Sequence, residues 1–178
     1  RTLAAEVISL GCRLNLSESE DLRALLAAES DLVVINSCAV TAEAVRQTRQ
    51  AIRRARQARP DARLLVTGCA AEVERTALGA MPEVDGLIAN RAKLDPRAWN
   101  VAATPVRAPS LAHTRAFVAV QNGCDHRCTF CVIPQGRGPS RSLPVAMVRR
   151  EIEQHLAAGG REVVLTGVDL TSWGHDLP

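Results

Sequence analysis

The stretch LVVINSC at residues 32–38 sets four consecutive apolar residues directly before two polar residues and a cysteine. A short run rich in β-branched residues and bounded by polar residues predicts a buried β-strand. The same arrangement occurs twice more, because EVISL (residues 6–10) precedes Cys12 and LLVT (residues 64–67) precedes Cys69. The sequence therefore contains three similar units, and each carries a cysteine shortly beyond the end of its predicted strand.

A helix signal follows each of these three cysteines. Ser17 and Glu20 have the spacing of a capping box and predict a helix that runs to residue 28. Further helices are predicted over residues 41–59 and 70–78. Alternating strands and helices indicate an α/β fold with a parallel sheet, in which the crossover connections are right-handed.

This fold would bring Cys12, Cys38 and Cys69 together, because parallel strands all end at the same edge of a sheet. Three thiolates in one crevice would form a site for a soft metal, with a fourth coordination position left open for an exogenous ligand. The alternative is that these cysteines are buried simply as small apolar residues, as free cysteines commonly are.

A second group of three cysteines lies within one short segment. GCDHRCTFC (residues 123–131) has the spacing C-x3-C-x2-C and follows a strand predicted over residues 116–121. This tight spacing lets three thiolates bind three corners of a cubane iron–sulfur cluster and leaves one iron free. Zinc is an alternative, with His113 or His126 as the fourth ligand. A disulfide framework is excluded within this group, because three cysteines cannot all pair with one another.

The overall composition is that of a soluble globular protein. The chain has 178 residues, of which 47% are hydrophobic and 23% charged, and its formal net charge is +3. Lys93 is the single lysine, so nearly every cation is an arginine, the residue that pairs with phosphate and stacks on bases. A GC-rich genome would give the same bias, and the mild positive charge neither requires nor excludes a nucleic-acid partner. The apolar runs are far shorter than the roughly 20 residues of a membrane-spanning helix, and the first residues do not resemble a signal peptide. These features favour a cytoplasmic protein that does not associate with a membrane.

The second cysteine motif resembles the signature of radical S-adenosylmethionine enzymes, in which an aromatic residue, here Phe130, precedes the last cysteine. The residues that follow, VIPQGRGPSRS (132–142), are similar to those of the methylthiotransferases within that group. The amino-terminal half agrees independently. Three segments resemble the auxiliary-cluster domain of the same family: SLGCRLN (9–15), VINSCAVT (34–41) and VTGCA (66–70).

The resemblance implies a particular domain organisation. Residues 1–91 would form a parallel βαβ domain that holds an auxiliary iron–sulfur cluster, with a fourth strand over residues 86–89, and residues 92–113 would be a linker. Residues 114–178 would form the first βα units of a partial TIM-like radical barrel, with a helix over 145–158 and a strand over 162–166. The barrel is truncated in this chain, so the chain is expected to be a fragment and inactive alone.

The resemblance also implies two 4Fe-4S clusters, each on one set of three cysteines, together with S-adenosylmethionine bound at the second cluster. That cluster would pass an electron into the sulfonium and release a 5′-deoxyadenosyl radical, while the first cluster would hold the sulfur to be inserted. No side chain is expected to act as a catalytic acid or base. The implied metal ligands are Cys12, Cys38, Cys69, Cys124, Cys128 and Cys131, and the implied cofactor-binding residues are Phe130, Thr166, Gly167, Val168 and Asp169.

Within this family the sequence is most similar to the branch that methylthiolates N6-threonylcarbamoyladenosine beside a tRNA anticodon. The alternative is the branch that modifies an aspartate of a ribosomal protein, towards which SLGC (residues 9–12) leans, and Gln135 stands where the tRNA branch has tyrosine. Arg137 and Arg141 are predicted to contact phosphate. Arg46, Arg49 and Arg53 share a helix face that favours a solvated surface over an RNA contact.

The implied partners are tRNA, an electron donor such as flavodoxin or ferredoxin, and a sulfur donor. Two functions of other classes stay open at this stage. One is a zinc-stabilised RNA-binding module without catalysis, and the other is a redox sensor that uses paired thiols.

Overall fold

The computed structural model describes residues 3–102, here called the first region, and residues 115–178, the second region. The first region contains β1 (Glu6–Ser9), α1 (Arg13–Leu25), β2 (Leu32–Ser37), α2 (Ala42–Ala58), β3 (Arg63–Gly68), α3 (Cys69–Val73), α4 (Arg75–Gly79), β4 (Gly86–Leu87), a 3-10 turn (Asn90–Ala92) and α5 (Pro96–Trp99). The second region contains β5 (Arg115–Ala119), β6 (Gln121–Asn122), α6 (Ile133–Arg137), β7 (Arg141–Ser142), α7 (Val145–Ala157), β8 (Glu162–Thr166) and a 3-10 turn (Leu170–Ser172).

The first region is a four-stranded sheet in the order β1-β2-β3-β4, with every pair parallel. Ser9 is paired with Asn36, and Asn36 is paired with Thr67, so the carboxyl ends of the first three strands lie level with one another. The α/β prediction and the fourth strand are confirmed, although β4 spans only Gly86–Leu87.

Helices cover both faces of this sheet, and each face has its own apolar core. On one face, residues of β2 and β3 such as Ile35 and Val66 pack with Ile52 of α2. On the other face, Val34 packs with Leu22 of α1 and with Trp99. All six residues of β2 are buried, which explains why its first four residues are consecutively apolar and do not alternate with polar residues.

The helix after Cys12 begins earlier than its predicted capping box. The helix α1 starts at Arg13, directly after Cys12, and ends at Leu25. Ser17 therefore lies inside the helix and does not cap it. Its buried hydroxyl donates a hydrogen bond to the carbonyl of Phe117 in β5, at 2.8 Å. The serine therefore makes a tertiary contact and does not have the capping role that the sequence predicted.

The other two helices of the first region follow their predictions more closely. Thr41 caps α2, accepting a hydrogen bond from the Ala44 amide at 3.1 Å. The single helix predicted over residues 70–78 is instead divided into α3 and α4, because Glu74 between them leaves helical geometry with φ −108° and ψ 28°.

Part of the predicted linker is folded onto the first sheet. Residue Asp95 caps the short helix α5 through the Arg97 amide, and Trp99 is 7% exposed in the core. The Trp99 indole N–H donates to the Lys93 carbonyl at 2.7 Å. The packed unit therefore extends to Val101 and past the predicted boundary at residue 91. The rest of the predicted linker, including His113, lies outside the described residues.

In the second region, β5 and β8 are parallel neighbours, and α7 connects them in the chain. This is the strand–helix–strand unit predicted for the start of a barrel, and β8 has its predicted bounds. The strand predicted over residues 116–121 is instead two strands, because β5 pairs with β8 as far as Ala119, whereas β6 pairs antiparallel with β7. In the described part of the chain, no helix is long and apolar enough to cross a membrane.

Asp85 holds β4 beside β3, and its carboxylate provides a test of that packing. Its Oδ2 accepts hydrogen bonds from the Leu64 amide and from Arg56, each at 2.6 Å. These two interactions, the Leu64 amide first, lower the pKa of Asp85 below its usual value.

Replacing Asp85 by Asn should therefore lower the free energy of unfolding at pH 7 by about 1 kcal/mol. A carboxylate whose folded pKa is depressed stabilises the fold above its usual pKa of about 3.9, and that stabilisation is lost as the pH falls through the folded value. The difference between wild type and Asp85→Asn in urea unfolding should shrink at about pH 3. Asp61→Asn, at an exposed turn residue, is the control; an equal loss for Asp85→Asn at both pH values would contradict the prediction.

Candidate functional site

Cys12, Cys38 and Cys69, here called the first cysteine set, meet at the carboxyl edge of the four-stranded sheet. Cys12 immediately precedes α1, Cys38 follows β2 directly, and Cys69 opens α3. A methyl group built on Gly11 would lie 2.6 Å from the Cys38 Sγ, and the Cys69 thiol lies close enough to Cys12 and Cys38 to interact electrostatically with both. All three thiols are free; Cys38 and Cys69 are buried, whereas Cys12 is exposed.

The backbone before these cysteines is shaped to leave room at the thiols. Gly11 has φ +90° and Gly68 has φ +92°, values that side-chain-bearing residues rarely adopt. A Cβ on Gly68 would collide with the Ser37 carbonyl oxygen. The all-sulfur donor set and the open backbone fit an iron–sulfur cluster better than they fit a site for a hard cation.

Polar side chains surround the first cysteine set. The Asn90 side-chain amide donates to the Cys69 Sγ at 3.8 Å and to the Gly136 carbonyl at 2.6 Å. Two buried oxygens, Thr67 Oγ1 and Asn90 Oδ1, have no hydrogen-bond partner among the described residues. Burial raises the pKa of the Cys69 thiol, and the nearby cations of Arg137 and Lys93 oppose that rise. The two cations therefore favour the thiolate form that binds metal.

Cys124, Cys128 and Cys131, the second cysteine set, lie on the loop between β6 and α6. The Cys124 amide donates to the Gly138 carbonyl at 3.0 Å, and the Cys131 amide donates to the Cys128 carbonyl at 3.1 Å. Gly123 has φ +76° and packs so closely on Pro139 that a Cβ would collide with the proline carbonyl. Cys128 is exposed and Cys131 is half-buried, whereas Cys124 is buried, so the loop is accessible at two of its three cysteines.

Asp169, one of the residues implied to bind the cofactor, lies at the second cysteine set. Its Oδ2 is 3.7 Å from the Cys124 Sγ and 3.1 Å from the His126 Nε2. Hydrogen bonds from the hydroxyls of Ser172 and Thr171 lower the pKa of Asp169. A charged acceptor is therefore held beside the loop, in a position to bind a cationic or hydroxyl-bearing part of a cofactor.

The other predicted cofactor-binding residues lie at the end of β8 or on the cysteine loop. Thr166 is buried at the end of β8, and Gly167 and Val168 follow it on the same turn. Phe130 is 91% exposed, next to Cys131, so its ring is free to contact a ligand at the loop.

Gln121 is a residue of this site that the sequence patterns did not reveal. It is 1% exposed, and its Oε1 accepts from the amides of Val168 and Asp169, at 3.1 and 2.8 Å. Its Nε2 donates to the Gly123 carbonyl at 2.7 Å. One side chain thus connects the cysteine loop to the end of β8. The only sequence signal was a polar residue at the end of an apolar strand.

The structure corrects the prediction that Arg137 contacts phosphate. Arg137 is 4% exposed, and its guanidinium donates to both carboxylate oxygens of Glu18, at 3.0 and 3.2 Å. It is buried because α6 packs against the first region, where a second cation, Lys93, binds the same carboxylate at 2.6 Å. Arg141 is exposed on β7, and its placement leaves it accessible to a ligand.

Strong electrostatic coupling within this group of three charges shifts the pKa of each. Burial alone would raise the pKa of Glu18, but Lys93 and Arg137 outweigh burial and hold it below its usual value. Burial lowers the pKa of Lys93, and Glu18 opposes that change. For Arg137 burial is outweighed by Glu18, which raises its pKa above the usual range.

Three arginines that share one face of α2 form local ion pairs: Arg46 with Glu43, Arg49 with Glu74 and Arg53 with Glu83. These partners offset the charge on that helix face, which agrees with the expectation of a solvated surface.

Two family models match the chain in succession. Residues 4–89 match the model described as uncharacterized protein family UPF0004, and residues 118–176 match the radical SAM superfamily. The first match covers the four-stranded sheet with the first cysteine set, and the second covers the loop with the second cysteine set.

Curated relatives align along almost the whole chain. The threonylcarbamoyladenosine tRNA methylthiotransferase of Rickettsia prowazekii is 39% identical over 99% of this chain and 46% of its own length. The tRNA-2-methylthio-N(6)-dimethylallyladenosine synthase of Chloroflexus aurantiacus is 32% identical over 97% of this chain and 42% of its own length. The ribosomal protein uS12 methylthiotransferase of Desulforudis audaxviator is 33% identical over 96% and 45%. The chain thus spans less than half the length of the relatives it matches.

Replacing Gly11 by Ala should prevent the first cysteine set from closing on a metal centre, because the new Cβ would lie 2.5 Å from the Cys38 Cβ in a left-handed backbone conformation. After anaerobic reconstitution, the variant should bind about half the iron of the wild type, since the second cysteine set is unaffected. Gly79→Ala is the matched control, because a Cβ there meets only the Leu87 side chain, at an ordinary 3.4 Å. A Gly11→Ala protein with the full iron and sulfide content would show that this glycine is not required.

Proposed function

We propose that the chain is part of a radical S-adenosylmethionine methylthiotransferase and that the protein adds a methylthio group to N6-threonylcarbamoyladenosine beside a tRNA anticodon. The observation that carries this proposal is that the helix following the second cysteine set packs on the first cysteine set. Helix α6, which follows the second cysteine set, lies directly on the first, since a Cβ on Gly136 would be 3.0 Å from the Cys69 Cβ.

Each cysteine set would hold one 4Fe-4S cluster through three thiolates and leave one iron free for an exogenous ligand. When bound, the two clusters and S-adenosylmethionine supply the radical and sulfur chemistry that protein side chains lack. The part of the polypeptide is to hold these groups in position and to exclude water. No paired carboxylate or nucleophilic triad is required for such a reaction.

The residues around the second cysteine set would bind and orient S-adenosylmethionine. Asp169 offers a carboxylate beside Cys124, and Phe130 offers an exposed ring beside Cys131. Gln121 fixes the turn of Gly167, Val168 and Asp169 relative to the loop. Arg141 supports the RNA assignment, because an exposed arginine near the cysteine loop is suited to contact phosphate.

The tRNA substrate is favoured because the Rickettsia relative, at 39%, is more similar to this chain than the two others compared, at 32% and 33%. The ribosomal-protein aspartate is the second candidate, supported by the relatives that modify uS12. An electron donor such as flavodoxin or ferredoxin and a sulfur donor complete the proposed system.

The two cysteine sets should be separable in S-adenosylmethionine cleavage. In the reduced full-length enzyme, Cys128→Ala should abolish formation of 5′-deoxyadenosine, because the second cluster would lose a ligand. Cys12→Ala should retain 5′-deoxyadenosine formation and lose methylthio insertion. Chromatographic measurement of both products from the same reaction tests this, and undiminished 5′-deoxyadenosine from Cys128→Ala would contradict the assignment. A colourless protein that binds zinc and no iron would instead favour an RNA-binding module.

The substrate can be identified in a strain that lacks the gene. Its tRNA should contain threonylcarbamoyladenosine without the methylthio group, as measured by nucleoside mass spectrometry, and the wild-type gene should restore it. A Cys38→Ala gene is the matched control and should fail to restore it. Unchanged tRNA nucleosides together with loss of a methylthio group from a ribosomal-protein aspartate would move the protein to the other branch.

A further inference from the structure

A buried ion-pair network of three charged residues joins the two regions. It consists of Glu18 on α1, Lys93 after the first 3-10 turn, and Arg137 at the end of α6. Their side chains are 5%, 2% and 2% exposed. The network thus connects a helix of the first region to the helix that follows the second cysteine set.

This network carries one more positive than negative charge. Glu18 is the single carboxylate that is hydrogen-bonded to either cation in the described part of the chain. The other hydrogen bonds of the two cations to oxygen go to the neutral side chains of Asn36, Asn15 and Asn122. An uncompensated charge on side chains as buried as these is costly, so a further negative group nearby would stabilise the network.

The first cysteine set is the negative group within reach. The Arg137 Nη2 lies 3.9 Å from the Cys12 Sγ, and both cations interact electrostatically with Cys69. A cluster held by three thiolates carries net negative charge, which the surplus positive charge would balance. The two cations therefore complement the first cysteine set in charge as well as in position.

We propose that Arg137 is a positioning residue that couples the two cysteine sets: its guanidinium docks α6 on Glu18 and places a fixed positive charge beside Cys12. This inference rests on the proposed function, since it takes the first cysteine set as a cluster site. Arginine suits the position because its planar fork can bind both Glu18 oxygens and still reach Asn15 and Cys12. The single lysine of the chain, Lys93, supplies the compact charge on the other side of the same carboxylate.

The test compares variants that differ in the charge of the network, and it measures only the cluster on the first cysteine set. In a protein with Cys124, Cys128 and Cys131 replaced by Ala, the midpoint potential of the remaining cluster is followed by EPR-monitored titration. Arg137→Met removes one positive charge and should shift the potential to more negative values, because reduction adds an electron beside a weaker positive field. Glu18→Gln removes the negative charge and should shift the potential in the opposite direction.

The double variant Glu18→Gln/Arg137→Met keeps the net charge of the network through Lys93, so its potential should lie between those of the single variants. It also removes both partners of one pair, which keeps the test informative if Arg137→Met alone folds poorly. Arg150→Met, on the exposed part of α7, is the control and should leave the potential unchanged. A merely structural role would not produce opposite shifts in the two single variants.

Docking is measured separately by amide hydrogen exchange in the cluster-free protein with all six cysteines intact. Exchange in α6 and the preceding loop should be faster by about tenfold or more in Arg137→Met, because the buried carboxylate loses its partner. Arg137→Lys keeps the charge and loses the fork, so it should retain the potential and show faster exchange. Unchanged potential and unchanged exchange in Arg137→Met would overturn the inference, whereas failure of the wild-type first set to hold iron would overturn the proposed function instead.

Discussion

The parallel register of β1, β2 and β3 is the constraint on which the first cysteine set depends. Because Ser9, Asn36 and Thr67 are paired across the sheet, the chain leaves all three strands at one level, and Cys12, Cys38 and Cys69 follow within a few residues. A slip of one residue would turn the apolar side chains of a strand to the opposite face. The two apolar cores that flank the sheet oppose such a slip, so hydrophobic packing also determines where the thiols lie.

Polar residues at the strand ends connect this apolar framework to the site. Asn36, at the end of the fully buried β2, accepts from Lys93 at 3.1 Å and donates to Ser19 at 2.9 Å. Gln121 has the corresponding role in the second region, where it holds the cysteine loop against the end of β8. Both side chains are buried and hydrogen-bonded, which makes their geometry rigid. Asn36 thus holds α1 and Lys93 against the end of β2, and Gln121 holds the second cysteine loop in place.

Glu18 connects the two regions through hydrogen bonds to residues of each. Its carboxylate receives hydrogen bonds from Lys93 of the first region and from Arg137 and Asn122 of the second. A buried ion group of this kind is a weak source of stability but a strong source of specificity, because any other docking of the regions would leave a charge buried without a partner. The same pairing explains why an arginine of the second region is buried, although a loop arginine beside a cluster motif usually suggests a contact with a ligand.

The sequence by itself determined the α/β fold and the three strand-end cysteines, because these features depend on local periodicity and on the rule that parallel strands end together. The C-x3-C-x2-C loop is visible directly in the spacing of its cysteines. Only the tertiary structure decided the start of α1, the division at Glu74, the folding of residues 93–101 onto the sheet, and the roles of Gln121 and Glu18. It also decided that Arg137 is buried. Each of these depends on contacts between residues far apart in the chain, such as Ser17 with Phe117 and Glu18 with Arg137. The free energy of such contacts overrides local preference, and nothing in the spacing of residues along the chain records it.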